Sequence, residues 1–226
     1  MKITTKQLKK IFGNVDEDFL NQFSFMLNHY ANMFNITKPM DYVRFLAQVK
    51  HELGFKRNGK PRLKENLNYK AKQLKRFSKR FRNNPNLLNK AMSLSGKEKQ
   101  KFIAMEWYGK GKKARDLGNK QPIDGWRYRG FGLFQITGRS NHVRVWKVVE
   151  NKLNIKVFDE NGEVLPSLLN SYFGAIITAM AFWYITKMYK CNSSMCVINK
   201  INRGLPKKEK LERIETAKRI MKILKV

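Results

Sequence analysis

Between Tyr42 and Lys97 the chain carries sixteen Lys or Arg residues and only two acids, Glu52 and Glu65. Glu52 follows Val49 by three positions and Phe45 by seven, so a helix places it beside its own apolar stripe. Partial desolvation there disfavours the charged carboxylate and raises its pKa, as a general acid at neutral pH requires. Glu65 lies beyond a basic loop, just before Asn66-Leu67-Asn68-Tyr69, in a polar and positive setting that predicts an ionised carboxylate. Two carboxyls held in opposite protonation states can hydrolyse a glycosidic bond. The same positions equally fit carboxylates that only neutralise neighbouring lysines, since ion-pair networks also perturb carboxyl pKa values.

A second stretch rich in functional groups runs from Asp124 to Arg139, with glycines at 125, 130, 132 and 138 that let backbone turn or approach closely. Trp126 and Tyr128 offer flat faces for sugar rings. Gln135, Thr137 and Asn141 offer amide and hydroxyl partners for acetamido and hydroxyl groups. No Gly-Lys-Ser/Thr follows the glycines, which excludes a phosphate-cradling P-loop. A structural turn around a core tryptophan would use the same residues. His29, His51 and His142 are scattered, and His51-Glu52 has no second histidine at position 55, which excludes the HExxH metalloprotease motif. No metal and no cofactor are expected. Cys191 and Cys196 are too few for a disulfide framework, and their spacing fits neither a CxxC redox pair nor a zinc knuckle. They read as free thiols near a helix end.

The elements that must position these groups read as helical almost throughout. Apolar residues at helical spacing run from Leu8 to Phe34, with a break at Gly13-Asn14. Pro39 and Asp41 suit the first turn of a helix whose stripe is Tyr42, Phe45, Leu46, Val49 and Leu53, ended by Gly54. Further helices are predicted over 70–82, 86–93, 96–108, 140–153, 167–189 and 207–224. Residues 56–64 predict a basic loop turning at Asn58-Gly59, and Gly109 to Trp126 a Gly- and Lys-rich loop. Asn161-Gly162 marks a turn suited to a small hairpin. Pro166 to Thr186 has no charge over 21 residues and is long enough to span a bilayer. Asn170, Ser171, Gly174 and Thr178 interrupt it, however, and favour a buried central helix.

With 226 residues, 42% of them apolar, the chain can bury a real core, which excludes disorder throughout. Its 47 Lys and Arg against 17 Asp and Glu give a formal net charge of +30 and predict attraction to a polyanion. No internal repeat or low-complexity linker appears. The N-terminus is basic but lacks an apolar core segment, so no secretory signal is expected.

Taken together, these motifs resemble glycoside hydrolase family 19. The resemblance rests on Phe45-Leu46-Ala47-Gln48-Val49-Lys50-His51-Glu52, Glu65-Asn66-Leu67-Asn68-Tyr69, the Asp124 to Arg139 stretch and Ile201-Asn202-Arg203-Gly204, in that order. Glu65 to Tyr69 and Asp124 to Gly130 bring it nearer the bacteriophage endolysin branch than plant chitinases. It is clearest over residues 40–220 and implies a mainly α, lysozyme-like domain; with no repeat or linker, the chain is expected to form a single two-lobed helical catalytic domain over residues 1–226, with at most a small β-hairpin. It implies Glu52 as general acid, Glu65 as the base activating water, and inversion at the anomeric carbon. It further implies that Gln135, Thr137, Asn141 and Asn202 face the sugar, while Arg213 supports the carboxylates; Tyr69, Trp126 and Tyr128 complete the expected substrate-binding set. The sequence departs from the family pattern where Leu53 and Phe131 replace a small polar residue and an arginine, where Phe55 and Arg203 replace glycines, and in the long basic loop between the two glutamates.

The expected function is that of an endolysin, or lysozyme, cutting β-1,4 bonds of peptidoglycan. Its expected partners are peptidoglycan glycan strands and an anionic cell-wall or outer-membrane surface, with no specific nucleic acid, and the chain is expected to be a monomer. Such an enzyme would be made in the host cytoplasm and reach the wall after another protein opens the membrane. A chitinase on the same fold is the alternative within this class. The alternative of another class is a non-enzymatic basic binder of nucleic acid or an anionic surface.

Overall fold

The computed structural model describes all 226 residues and is mainly α-helical, with isolated β-bridges and no strand. Its helices are α1 (Thr5–Phe12), α2 (Glu17–Tyr30), α3 (Pro39–Glu52), α4 (Ala71–Phe77), α5 (Lys79–Arg82), α6 (Pro85–Ser93) and α7 (Gly96–Trp107). They continue with α8 (Gly111–Asp116), α9 (Pro122–Arg127), α10 (Arg139–Leu153), α11 (Tyr172–Ile185), α12 (Ser194–Asn202) and α13 (Lys207–Leu224). The chain divides into two compact units. The first comprises Met1–Leu63, Gly132–Phe134 and Val145–Val226; the second comprises Lys64–Phe131 and Gln135–Arg144.

The first unit is built around α3 and α11. Tyr42, Phe45, Leu46 and Val49 of α3 are buried, and the Phe45 ring meets Phe23, Phe134 and Trp183 edge-on at 5.9–6.4 Å. Pro39 opens α3, and Asp41 accepts the backbone N–H of Lys38 at 3.0 Å, as their first-turn preference predicts. The uncharged stretch from 166 to 186 resolves into a 14-residue helix whose residues from Gly174 to Ala181 are all buried. No helix is long and apolar enough to cross a membrane. Against α3 also packs α13, burying Arg213, Thr216, Ala217, Ile220 and Leu224. The stripe predicted from Leu8 to Phe34 divides at Gly13, which takes φ 85° between α1 and α2. The turns at Asn58-Gly59 and Asn161-Gly162 close the bridges Phe55–Pro61 and Phe158–Val164.

The cysteines correct the free-thiol expectation. Ser193 caps α12 by accepting the N–H of Cys196, which folds the chain back and brings the two Cα atoms to 5.6 Å, within disulfide reach. Cys191 and Cys196 are joined.

The second unit packs α4 to α9 around Leu67, Leu74, Phe81, Leu88, Ala91, Ile103, Ala104 and Tyr108. The helix predicted over 70–82 breaks at Ser78, whose extended backbone (φ −122°, ψ 112°) separates α4 from α5. The loop predicted from Gly109 to Trp126 instead contains α8 and α9. A Cβ at Gly125 would lie 2.3 Å from the Ala104 carbonyl oxygen, so only glycine lets α9 press directly on α7. Asp124 fastens the same element. Fully buried, it accepts the N–H groups of Lys120 and Gln121 and two bonds from the Arg139 guanidinium at 2.8–2.9 Å.

Candidate active site

Glu52 ends α3 in the first unit. Its Oε1 lies 2.7 Å from Arg213 Nη1, and 24% of its side chain stays exposed. The same guanidinium nitrogen donates to Gln48 Oε1 at 3.0 Å, one helical turn before Glu52. His51 Nε2 meets Thr216 Oγ1 at 2.8 Å; that hydroxyl donates to the Glu212 carbonyl, so the imidazole N–H is the donor. α13 thus holds the C-terminal turn of α3 through Arg213 and Thr216. Beside its apolar stripe, the partly shielded Glu52 carboxylate meets a guanidinium supplied from 161 positions further along the chain, that of Arg213, the residue expected to support it. Gln48 is fully buried and its Nε2 has no partner, which leaves a donor beside Arg213.

Glu65 belongs to the second unit, where Lys64 and Phe131 form a bridge. Its backbone N–H donates to the Gly130 carbonyl at 2.8 Å, and its Oε1 accepts the Tyr108 hydroxyl at 2.8 Å. A Cβ at Gly130 would come within 2.9 Å of Gln135 Oε1 and 3.2 Å of Glu65 Cβ. Glycine there is what allows the glutamate and the carboxamide to converge. Gln135 itself adopts φ 47°, a left-handed backbone that a non-glycine residue holds at a cost of about 1–3 kcal/mol.

Burial raises the Glu65 pKa, opposed by hydrogen bonds from Tyr108 and Gly130 and by the charges of Lys113 and Arg129. The sequence expectation for Glu65, an ionised carboxylate in a positive setting, took no account of this burial. The positive setting is present, but the walls of the second unit exclude enough water to outweigh it. Cations surround this carboxylate. Lys113 stands 5.0 and 5.1 Å over the rings of Trp107 and Tyr108, and Arg129 stacks 3.5 Å over Trp126 while donating to its carbonyl. Burial, with Arg129 and Lys97 nearby, pushes Lys64 down to about 8.

The other predicted residues divide. Tyr69 is half-buried between Phe77 and Trp107, and burial together with the charge of the Glu65 carboxylate raises its pKa. Trp126 is half-buried, and Arg129 stacks on its ring. Tyr128 is corrected: its ring is fully buried against His142 and beneath Arg139, so no face is open to a sugar. Thr137 donates to the Gln135 carbonyl, and the exposed Asn141 donates to the Thr137 carbonyl. In the first unit, Asn202 is exposed at the end of α12 and accepts the Gly204 N–H at 3.0 Å.

Gln48, Tyr108, Lys113 and Arg129 were not picked out from the sequence. Gln48 carried a signal, as a polar residue four before Glu52 on an apolar helix face. Tyr108 carried none, because 43 residues separate it from Glu65.

No family model matches the chain. Over 168 residues it is 33% identical to a "Glycosyl hydrolase family 19 domain-containing protein" of Haemophilus influenzae, an alignment covering 74% of this chain and 72% of that protein.

Proposed function

The chain belongs to glycosyl hydrolase family 19, and from that membership we propose that it is an endolysin of the phage type, hydrolysing β-1,4 bonds of bacterial peptidoglycan with inversion. In this reaction Glu52 donates its proton to the leaving glycosidic oxygen as the C–O bond breaks. Glu65 removes a proton from a water whose oxygen bonds the anomeric carbon from the opposite face. Exchange with solvent then restores both carboxyls. Such a pair needs carboxyls about 6.5–9.5 Å apart, to leave room for the water. The raised pKa of Glu65 makes it the stronger base once ionised. In this reading Gln135, whose Oε1 and Glu65 both lie close to Gly130, orients the water or the acetamido group.

One observation favours peptidoglycan over chitin. Lys113 and Arg129 gather around Glu65, an excess of positive charge that suits a glycan bearing acidic peptide stems and has no counterpart to meet on a neutral polymer. A disulfide also suits work outside the reducing cytoplasm. The test is mass analysis of the reducing ends in a digest of purified sacculi. N-acetylmuramic ends support the muramidase reading, whereas N-acetylglucosamine ends make it a glucosaminidase. Turnover of chitin oligomers without release from sacculi would establish the chitinase instead.

A further inference from the structure

Positive charge is not spread evenly over the chain. The second unit carries 21 Lys and Arg against 5 acids, a balance of +16 on 78 residues; the first carries 26 against 12, or +14 on 148. Three of those five acids are already engaged within the second unit: Glu65 by Tyr108, Glu106 by Arg80 and Lys110, and Asp124 by Arg139. From Asn66 to Lys97 the chain has nine cations and no acid.

The density peaks at α4 and α5. Seven of the thirteen residues from Lys70 to Arg82 are Lys or Arg. From Ala71 to Arg82 only Leu74, Ser78 and Phe81 are buried, so the core takes one narrow stripe and the rest faces outward. Lys72, Lys75 and Arg76 fall at i, i+3 and i+4 of α4, on the side away from Leu74. Arg80 is paired with Glu106, while no acid accompanies the other six. Amid them stands Phe77, 51% exposed, with the Arg76 guanidinium 5.5 Å over its ring and Tyr69 beside it.

We propose that the outward face of α4 and α5 is a docking surface for an anionic phospholipid bilayer. A lipid surface needs no shape match and answers to the number of nearby cations, each Lys or Arg adding roughly fivefold to partitioning. An aromatic side chain left in water among charges gains by entering the headgroup boundary. Single-stranded nucleic acid would require successive aromatic platforms along a groove, and here one ring stands on an outward helical face. The proposal adds a surface to the hydrolase reading and does not depend on it.

The test is sedimentation of the full chain with phosphatidylcholine vesicles, with and without phosphatidylglycerol. The fourfold variant Lys72→Gln, Lys75→Gln, Arg76→Gln, Lys79→Gln is compared with Lys207→Gln, Lys208→Gln, Lys222→Gln, Lys225→Gln in and beside α13, which has the same net charge. The α4–α5 variant should lose about a hundredfold or more in partitioning to anionic vesicles, and the α13 variant far less. Phe77→Ser should lose several-fold, and a variant with Lys72, Lys75 and Lys79 changed to Arg should bind like wild type, which guards against misfolding as the cause. Equal losses in the two Gln variants would overturn the proposal in favour of net charge alone. Displacement from vesicles by equimolar single-stranded DNA, with the same dependence on α4–α5, would overturn it in favour of nucleic acid.

Discussion

Glu65 sits between opposing influences, and Tyr108 is the one most readily removed. Its hydroxyl donates to Oε1 and favours the ionised carboxylate, against burial that disfavours it. Tyr108→Phe should therefore raise the Glu65 pKa further. A base must be ionised to act, so the acid-side limb of the kcat/KM profile should move to higher pH, with activity recovering on the alkaline side. An unmoved limb would mean that Tyr108 does not act through Glu65. The division of labour between the carboxyls is tested by the leaving group. Glu52→Gln should lose on the order of 10²–10⁴-fold on glycan but retain turnover of an aryl glycoside whose phenolate departs without protonation, whereas Glu65→Gln should lose both. The opposite pattern would exchange the two roles. The isolation of the two glutamates among lysines drew attention to them, and the family resemblance named Arg213, which pairs with Glu52; the Tyr108 hydroxyl on Glu65 was not legible, because 43 residues separate the two.

At the scale of elements, Asp124 joins α9 to the start of α10 through Arg139 and caps α9 through its own first turn. Removing one partner of such a buried pair costs about 3–5 kcal/mol, so Asp124→Asn should melt well below wild type at neutral pH. These bonds hold the Asp124 pKa below its ordinary value despite burial. The folded state thus binds this proton less readily than the unfolded chain, and the stabilisation is present above the ordinary carboxylate range. It fades as pH falls through the lowered pKa, so thermal melts of variant and wild type should converge in acid. A constant gap across pH would assign the loss to packing rather than to the ion pair. Long elements with one clear period, α3 above all, were legible because a core selects their apolar spacing. The short helices α8 and α9 lie within a stretch rich in glycine and lysine, and α9 exists through the contact of Gly125 with Ala104, which no local pattern reports. The joining of Cys191 to Cys196 likewise depends on a cap at Ser193 that reverses the chain.

For the molecule as a whole, apolar spacing forecast a helical protein, composition a buried core and an attraction to anions, and family membership adds glycoside hydrolysis. What composition could not express is where the charge gathers, since the burial of Glu65, Glu106 and Asp124 leaves the second unit's outer surface almost without acids. The central claim is direct displacement by water at a β-linked anomeric carbon, with one carboxyl as acid and the other as base. It is tested most directly by proton NMR of the anomeric signals during the first minutes of a peptidoglycan digest, before mutarotation mixes them. The account predicts that newly formed reducing ends appear as the α-anomer and only later relax toward equilibrium, and that Glu52→Gln releases almost none. Initial release of the β-anomer would contradict it, because retention requires a covalent or substrate-assisted intermediate that an acid and a water-activating base do not form.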